Sequence, residues 1–284
     1  MFMRPLDENI RKQLNNHLEK IEQALVADGI SIISPILYGV DLRVRDALEL
    51  IKNKKKTLVV IHDTPGGIVE VVERLVDCIR HFYNEIIFII PDRAMSAGTI
   101  FALSGDRILM DYFSCLGPID PQIERDGKLV PALSYLNQFE RLNKKASDGK
   151  LTSAEYALLS KLDLGELYQF EQAKELSCEL LIEWLTKYKF KNWTKTRTRQ
   201  VVVTDKMKKD RAEEIATHLN KTERWHTHGR GIDKQTLIDE IKLEIEDYSS
   251  IPGLGTIVRE YFELLKDYMS RGNLVSFVHS KEYF

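Results

Sequence analysis

Short apolar runs that alternate with amphipathic helical patterns constrain this chain more than any other feature. Ile30–Ile36, Thr57–Ile61, Glu85–Ile90 and Arg107–Met110 are rich in branched residues, and helical spacings at Asp41–Lys52, Ile68–Tyr83 and Ala97–Leu103 lie between them. Runs of this length and this largely apolar character predict strands buried on both faces. The intervening helices predict crossovers between parallel strands. The fold class expected is therefore α/β, with a parallel sheet covered by helices and chemistry sought in the loops that leave the strand ends.

Before that unit, Ile10, Leu14, Leu18, Ile21 and Leu25 fall four and three apart, which predicts a helix over Glu8–Ala27 with one apolar face. That face needs cover, from its own domain or from a second subunit. After about Pro131 the pattern is mainly helical, with helices expected at Pro131–Ala146, Ser153–Leu162, Leu167–Tyr188, Thr204–Asn220, Asp233–Tyr248 and Thr256–Tyr268. The organisation expected is an amphipathic helix over 1–28, an α/β domain over 29–200, and a helical extension over 201–284 packed on it. No internal repeat or low-complexity linker interrupts this plan.

Composition narrows the partners. With 284 residues and 43% hydrophobic side chains the chain can bury a large core, and 41 basic against 43 acidic residues leave no global polarity toward nucleic acid or membrane. The three cysteines, Cys78, Cys115 and Cys178, fit neither a disulfide framework nor a structural zinc pattern. No run approaches a membrane span and no apolar leader opens the sequence, so a soluble, cytoplasmic protein is expected. One local bias remains. Lys187–Arg211 holds ten basic residues, only two acids, and the aromatics Tyr188, Phe190 and Trp193.

Two strand ends carry the functional signal. "TLVVIHDTPGGIVEVV" runs from a strand through Thr64-Pro65-Gly66-Gly67 into a helix, and glycines there leave backbone amides unshielded. "EIIFIIPDRAMSAGTIFAL" repeats the design with Ser96 at the strand–helix junction. A serine so placed ordinarily caps its helix through the side-chain oxygen. It also sits where the partial positive charge of a helix N-terminus can stabilise nucleophilic attack.

Together with a third block, "CLGPIDPQI" (Cys115–Ile123), these stretches resemble the Clp-fold serine peptidases. That family includes the Clp protease proteolytic subunit, signal peptide peptidase A and, nearest in motif, the serine dehydrogenase proteinase group. The resemblance rests on Thr64-Pro65-Gly66-Gly67, Ala94-Met95-Ser96-Ala97-Gly98-Thr99, Gly105-Asp106 and Leu116–Gln122, with Trp225–Ile232 ("WHTHGRGI") similar to a later histidine-containing element. It implies a Clp/crotonase-like fold, a peptide or protein substrate, no cofactor or metal, and assembly as a homo-oligomer. Ser96 then takes the nucleophile position, and the amides of Ala97 and of Gly66 or Gly67 form the oxyanion hole.

The general base stays open. The Clp subunit carries a histidine in the block that here reads "LGPIDPQ", and this chain has no histidine between His81 and His218. Signal peptide peptidase A uses lysine, which must be desolvated or set beside positive charge to act near neutral pH. Lys128 ranks first, because it follows the Asp126-Gly127 turn after the third block; Lys144 and Lys145 are further candidates. His228, in the later element, is the other option, and with His226 it could instead be half of a metal site or a cap on the next helix. His62 and Asp63 receive no role. Two other activities are consistent with the sequence: acyl-thioester chemistry of the crotonase kind, and a noncatalytic binding module whose basic, aromatic segment meets nucleic acid.

Overall fold

The computed structural model describes residues 4–125, 128–196 and 198–284, and the side chains at 122–131, 222 and 223 fall outside the described set. Its strands are β1 (Asp28–Ile33), β2 (Thr57–Asp63), β3 (Glu85–Ile90), β4 (Arg93–Ala94), β5 (Arg107–Met110), β6 (Cys115–Leu116), β7 (Gln122–Arg125), β8 (Lys128–Pro131), β9 (Ile232–Asp233), β10 (Glu246–Asp247) and β11 (Phe277–His279). The helices are α1 (Pro5–Leu25), α2 (Val40–Leu50), α3 (Val69–Phe82), α4 (Ala97–Leu103), α5 (Ala132–Ser147), α6 (Ser153–Leu159), α7 (Leu164–Trp184), α8 (Asp205–Leu219), α9 (Thr222–Trp225), α10 (Lys234–Asp239) and α11 (Leu254–Arg271).

The main sheet has the order β10-β5-β3-β2-β1-β11, and all its pairs are parallel except β1 with β11. Strand residues divide by parity between two cores. Ile30, Ile32, Leu58, Val60, Ile86, Phe88 and Ile90 face α2, α3, α4, α7 and α8. Ile33, Val59, Ile61, Ile87 and Ile89 face α1 and α11. This two-sided burial is why the strands read as largely apolar runs.

Helix α1 finds its partner within the chain. Leu14, Leu18 and Ile21 are fully buried in the core shared with Val258, Tyr261 and Leu265 of α11. Polar contacts lock the same layer: Tyr261 Oη lies 2.7 Å from His279 Nδ1 and 3.0 Å from Ser31 Oγ, and His279 Nε2 lies 3.0 Å from Asn15 Oδ1. Both ends of the chain therefore complete one face of the sheet.

The C-terminal segment departs from the helical reading. Residues 201–284 also supply the edge strands β10 and β11, and the helix expected over Asp233–Tyr248 ends at Asp239. Lys242 then takes a positive φ of 59°, which turns the chain before β10 pairs with β5. An α-helix cannot pass through that backbone.

Candidate active site

A second, three-stranded sheet organises the functional residues. Its order is β4-β6-β9, parallel then antiparallel, with Ala94 beside Leu116 and Leu116 beside Ile232. Three segments leave the same end of it. Ser96 stands just after β4, Asp120 follows β6, and His228 precedes the antiparallel β9. The sequence blocks around Ser96, Leu116–Gln122 and Trp225–Ile232 are thus brought together by register.

Ser96 occupies a strained elbow, with φ 52° and ψ −119°, between β4 and α4. A non-glycine residue in this region costs of order 1–3 kcal/mol and persists only where its surroundings enforce it. The enforcement is visible. Met95 N–H donates to the Thr64 carbonyl at 3.1 Å, Gly98 N–H to the Met95 carbonyl at 2.8 Å, and Thr99 N–H to the Ser96 carbonyl at 2.8 Å. Thr99 Oγ1 donates to the carbonyl of Ala94 at 2.7 Å and lies 2.9 Å from Gly117 O and N, so it ties the elbow to the third block. The Ser96 hydroxyl makes no capping bond to α4 and is partly exposed. The ordinary reason for a serine at a helix start is therefore missing.

The glycine loop touches this elbow directly. A Cβ on Gly66 would lie 2.8 Å from Met95 O and 2.9 Å from Ser96 Cβ, and one on Gly67 would lie 2.1 Å from Ile36 O. Both glycines have positive φ, 105° and 151°. Only glycine allows that approach. Gly66 N–H is engaged, donating to Thr64 Oγ1 at 3.1 Å, and Gly66 O accepts the Ile36 amide at 2.9 Å. Among the described residues, the amides of Gly67 and Ala97 donate to no protein acceptor. Of the amides expected to hold an oxyanion, those two are available, and Gly66 serves as the close-packing residue between them and Thr64.

His228 is paired with a carboxylate that the sequence did not single out. Its Nδ1 lies 2.9 Å from Oδ1 of Asp120, whose side chain is 1% exposed. The contact is close without meeting hydrogen-bond alignment, since neither His228 Nδ1 nor Asp120 Oδ2 has an aligned partner. Unliganded active sites commonly show such loose geometry. With Nδ1 turned to Asp120, the other ring nitrogen, Nε2, points away from it. His228 does not cap the next helix; Asp233 does, accepting the Thr236 amide at 2.7 Å. His226 is exposed, with a positive φ of 65°.

The remaining candidates are placed as follows. Lys128 begins β8 in the hairpin with β7, and its side chain falls outside the described residues. Lys145 pairs with Glu155 at 2.5 Å and Lys144 lies in the last turn of α5. His62 is fully buried beneath α4, with Nδ1 3.0 Å from the Ile32 carbonyl and its ring edge-on to Phe101; burial pushes its pKa down to about 4. Asp63 accepts from Lys266 of α11 at 3.0 Å, on the opposite face of the sheet.

Comparison with known proteins adds the family context. The family model described as ClpP-like SDH-type serine proteinase matches residues 22–201. Two uncharacterized proteins of Methanocaldococcus jannaschii are similar in sequence. One is 30% identical over 170 residues, covering 56% of this chain and 56% of its own length; the other is 35% identical over 133 residues, covering 44% and 45%. The chain thus spans about half the length of these relatives. Among solved structures, a serine-to-alanine variant of a membrane-bound stomatin-specific protease aligns over 77% of this chain and 76% of its own, at 12% identity and a TM-score of 0.42. A lysine-to-alanine variant of the same protease, in complex with a substrate peptide, aligns over 42% and 57%, at 20% identity and a TM-score of 0.32. No helix among the described residues is long and apolar enough to cross a membrane.

Proposed function

Because the chain belongs to the ClpP-like SDH-type serine proteinases, we propose that it cleaves peptide bonds through an acyl-enzyme on Ser96, with His228 as general base and Asp120 as its orienting carboxylate. The observation that carries this reading is the Ser96 elbow: φ 52°, ψ −119°, and a hydroxyl that does not cap its helix. Strained strand-to-helix turns of this kind present a nucleophile to substrate.

In the proposed reaction His228 Nε2 takes the Ser96 hydroxyl proton as Oγ bonds to the scissile carbonyl carbon. The carbonyl oxygen becomes an oxyanion and is held by the free amides of Ala97 and Gly67. The carbon–nitrogen bond then breaks, and the leaving amine receives the proton from His228. Water, deprotonated in turn by His228, cleaves the acyl ester and restores Ser96. Asp120, buried against Nδ1, fixes the ring and favours its protonated form during each step.

His228 is preferred over Lys128 as base because the buried Asp120 carboxylate at 2.9 Å can orient the ring and balance the charge it gains on taking a proton. The substrate class proposed is a peptide or protein. Self-association, if it shapes access to Ser96, must use a surface other than the apolar face of α1, which α11 covers.

Fluorophosphonate labelling rates test the assignment. The wild type is expected to label once, Ser96→Ala not at all, and His228→Ala at least a hundredfold more slowly with its fold intact. Asp120→Asn should fall between, and Lys128→Ala should label like the wild type. Normal labelling of His228→Ala with loss in Lys128→Ala reverses the order and makes lysine the base.

A further inference from the structure

The basic, aromatic segment that the peptidase reading leaves unused lines a cleft of about 570 Å³. It lies between an arch whose described arms are residues 194–196 and 198–203, the helix α8 and the turn after α10. The arch is closed by Thr196 N–H to Val201 O and Val203 N–H to Thr194 O, both 2.9 Å. Ser96 is not among the residues that line the cleft. The cleft sits at the amino ends of β5 and β10, near Asp106 and Glu246, whereas Ser96 follows the carboxyl end of β3.

Part of the segment's charge is spent on structure. Lys187 pairs with Glu183, Lys191 with Asp106, Lys208 donates to the Lys191 carbonyl, and Arg211 bonds Glu214 and the Ile241 carbonyl. Lys189 is different. A single π turn at Leu185–Lys189 carries it into the cleft, half-buried, where its Nζ donates to the Asp106 carbonyl at 3.4 Å. Burial pushes its ammonium down to about 8 against the pull of Glu244, Glu246 and Asp106. Lys195 and Lys242 reach the same space from the exposed arch and turn. Trp193, half-buried and edge-on to Phe190 at 5.6 Å, offers its ring to the cleft.

We propose that this cleft binds a nucleoside phosphate, with the phosphate on Lys189, Lys195 and Lys242 and the base against Trp193. The volume suits a compact ligand. Three lysines on the lining supply the charge for one phosphate, and a half-exposed indole is a stacking platform for a base. A cleft of this size holds one small anion rather than a nucleic-acid strand. The proposal is independent of the peptidase assignment, since it shares no residue with the Ser96 site.

Titration of the whole protein with ADP, followed by calorimetry, tests it. Saturable binding tighter than about 1 mM is expected, with adenosine and inorganic phosphate each at least tenfold weaker. Trp193→Leu and Lys189→Met should each weaken ADP roughly tenfold or more; Lys195→Glu, on the exposed arch, gives the same readout without touching a buried side chain. Ser96→Ala should bind ADP like the wild type. Absence of saturable ADP binding overturns the proposal, as does binding that ignores all three cleft substitutions. Equal affinity for inorganic phosphate overturns the nucleoside part, and tighter binding of an acidic peptide or an RNA strand overturns the ligand class.

Discussion

Gly98→Ala is the substitution that most sharply probes how the elbow is held. An added Cβ would meet Thr64 Cγ2 at 2.1 Å, with His62 Nε2 at 3.4 Å and Ala94 Cβ at 3.6 Å. The first contact is about 1.5 Å short of the optimum for two carbons. Thr64 cannot simply rotate away, because its Oγ1 accepts the Gly66 amide at 3.1 Å. Either α4 moves, carrying Ser96 from the Gly66 loop, or that hydrogen bond breaks and the glycine loop loosens. Overpacking of this kind costs about 1–3 kcal/mol, and a displacement near 1 Å at a reacting group costs about a hundredfold in rate. The assay is the fluorophosphonate labelling rate beside thermal unfolding, and the expected result is a modest loss of stability with a labelling rate down about a hundredfold. The second substitution Thr64→Ser removes Cγ2 and keeps the hydroxyl, so Gly98→Ala with Thr64→Ser should recover most of the rate. A Gly98→Ala protein that labels like the wild type, or a double variant no better than the single, refutes the reasoning.

Acid stability offers a second test. Burial depresses His62 to about 4 and His279 to about 3, so the unfolded chain takes up protons that the folded chain refuses. Stability is then full above about pH 6.5 and declines as pH falls toward 4, with His62 alone contributing on the order of 3 kcal/mol. His62→Asn, which keeps a donor for the Ile32 carbonyl, should flatten the pH dependence of urea midpoints between pH 6.5 and 4; an unchanged slope counts against the account. Leu18→Ala, at a fully buried position under α11, should destabilise by about 2–5 kcal/mol, read by thermal or urea unfolding. Its effect should not depend on protein concentration, because the face is covered within one chain.

The strands were legible because each is short, apolar and buried on both sides. Glu85–Ile90 and Arg107–Met110 are observed with the expected bounds, and Ala97–Leu103 forms its helix as read. The N-terminal amphipathic face was legible too, although its partner was not: α11 lies at the far end of the chain, and helical periodicity does not say what covers a face. The edge strands β10 and β11 escaped because two or three residues carry no periodicity, and their pairing with β5 and β1 exists only in three dimensions. At the candidate site, Ser96 and the glycines read locally as a helix cap and a turn, and the resemblance of three ordered blocks to a family is what singled them out. Asp120 was given no role, because a buried aspartate in a Pro-rich block acquires meaning only when β6 and β9 pair and bring His228 against it. Lys128 rests on its place after the third block and on the lysine base of related peptidases, and its side chain lies outside the described residues.

The central claim is that one strained serine is the activated nucleophile. Peptide mapping by mass spectrometry after fluorophosphonate treatment of the wild-type protein tests it most directly. The account predicts a single stoichiometric adduct on Ser96, absent from Ser96→Ala. An adduct on any other residue, or an unmodified Ser96 in a folded protein, contradicts it.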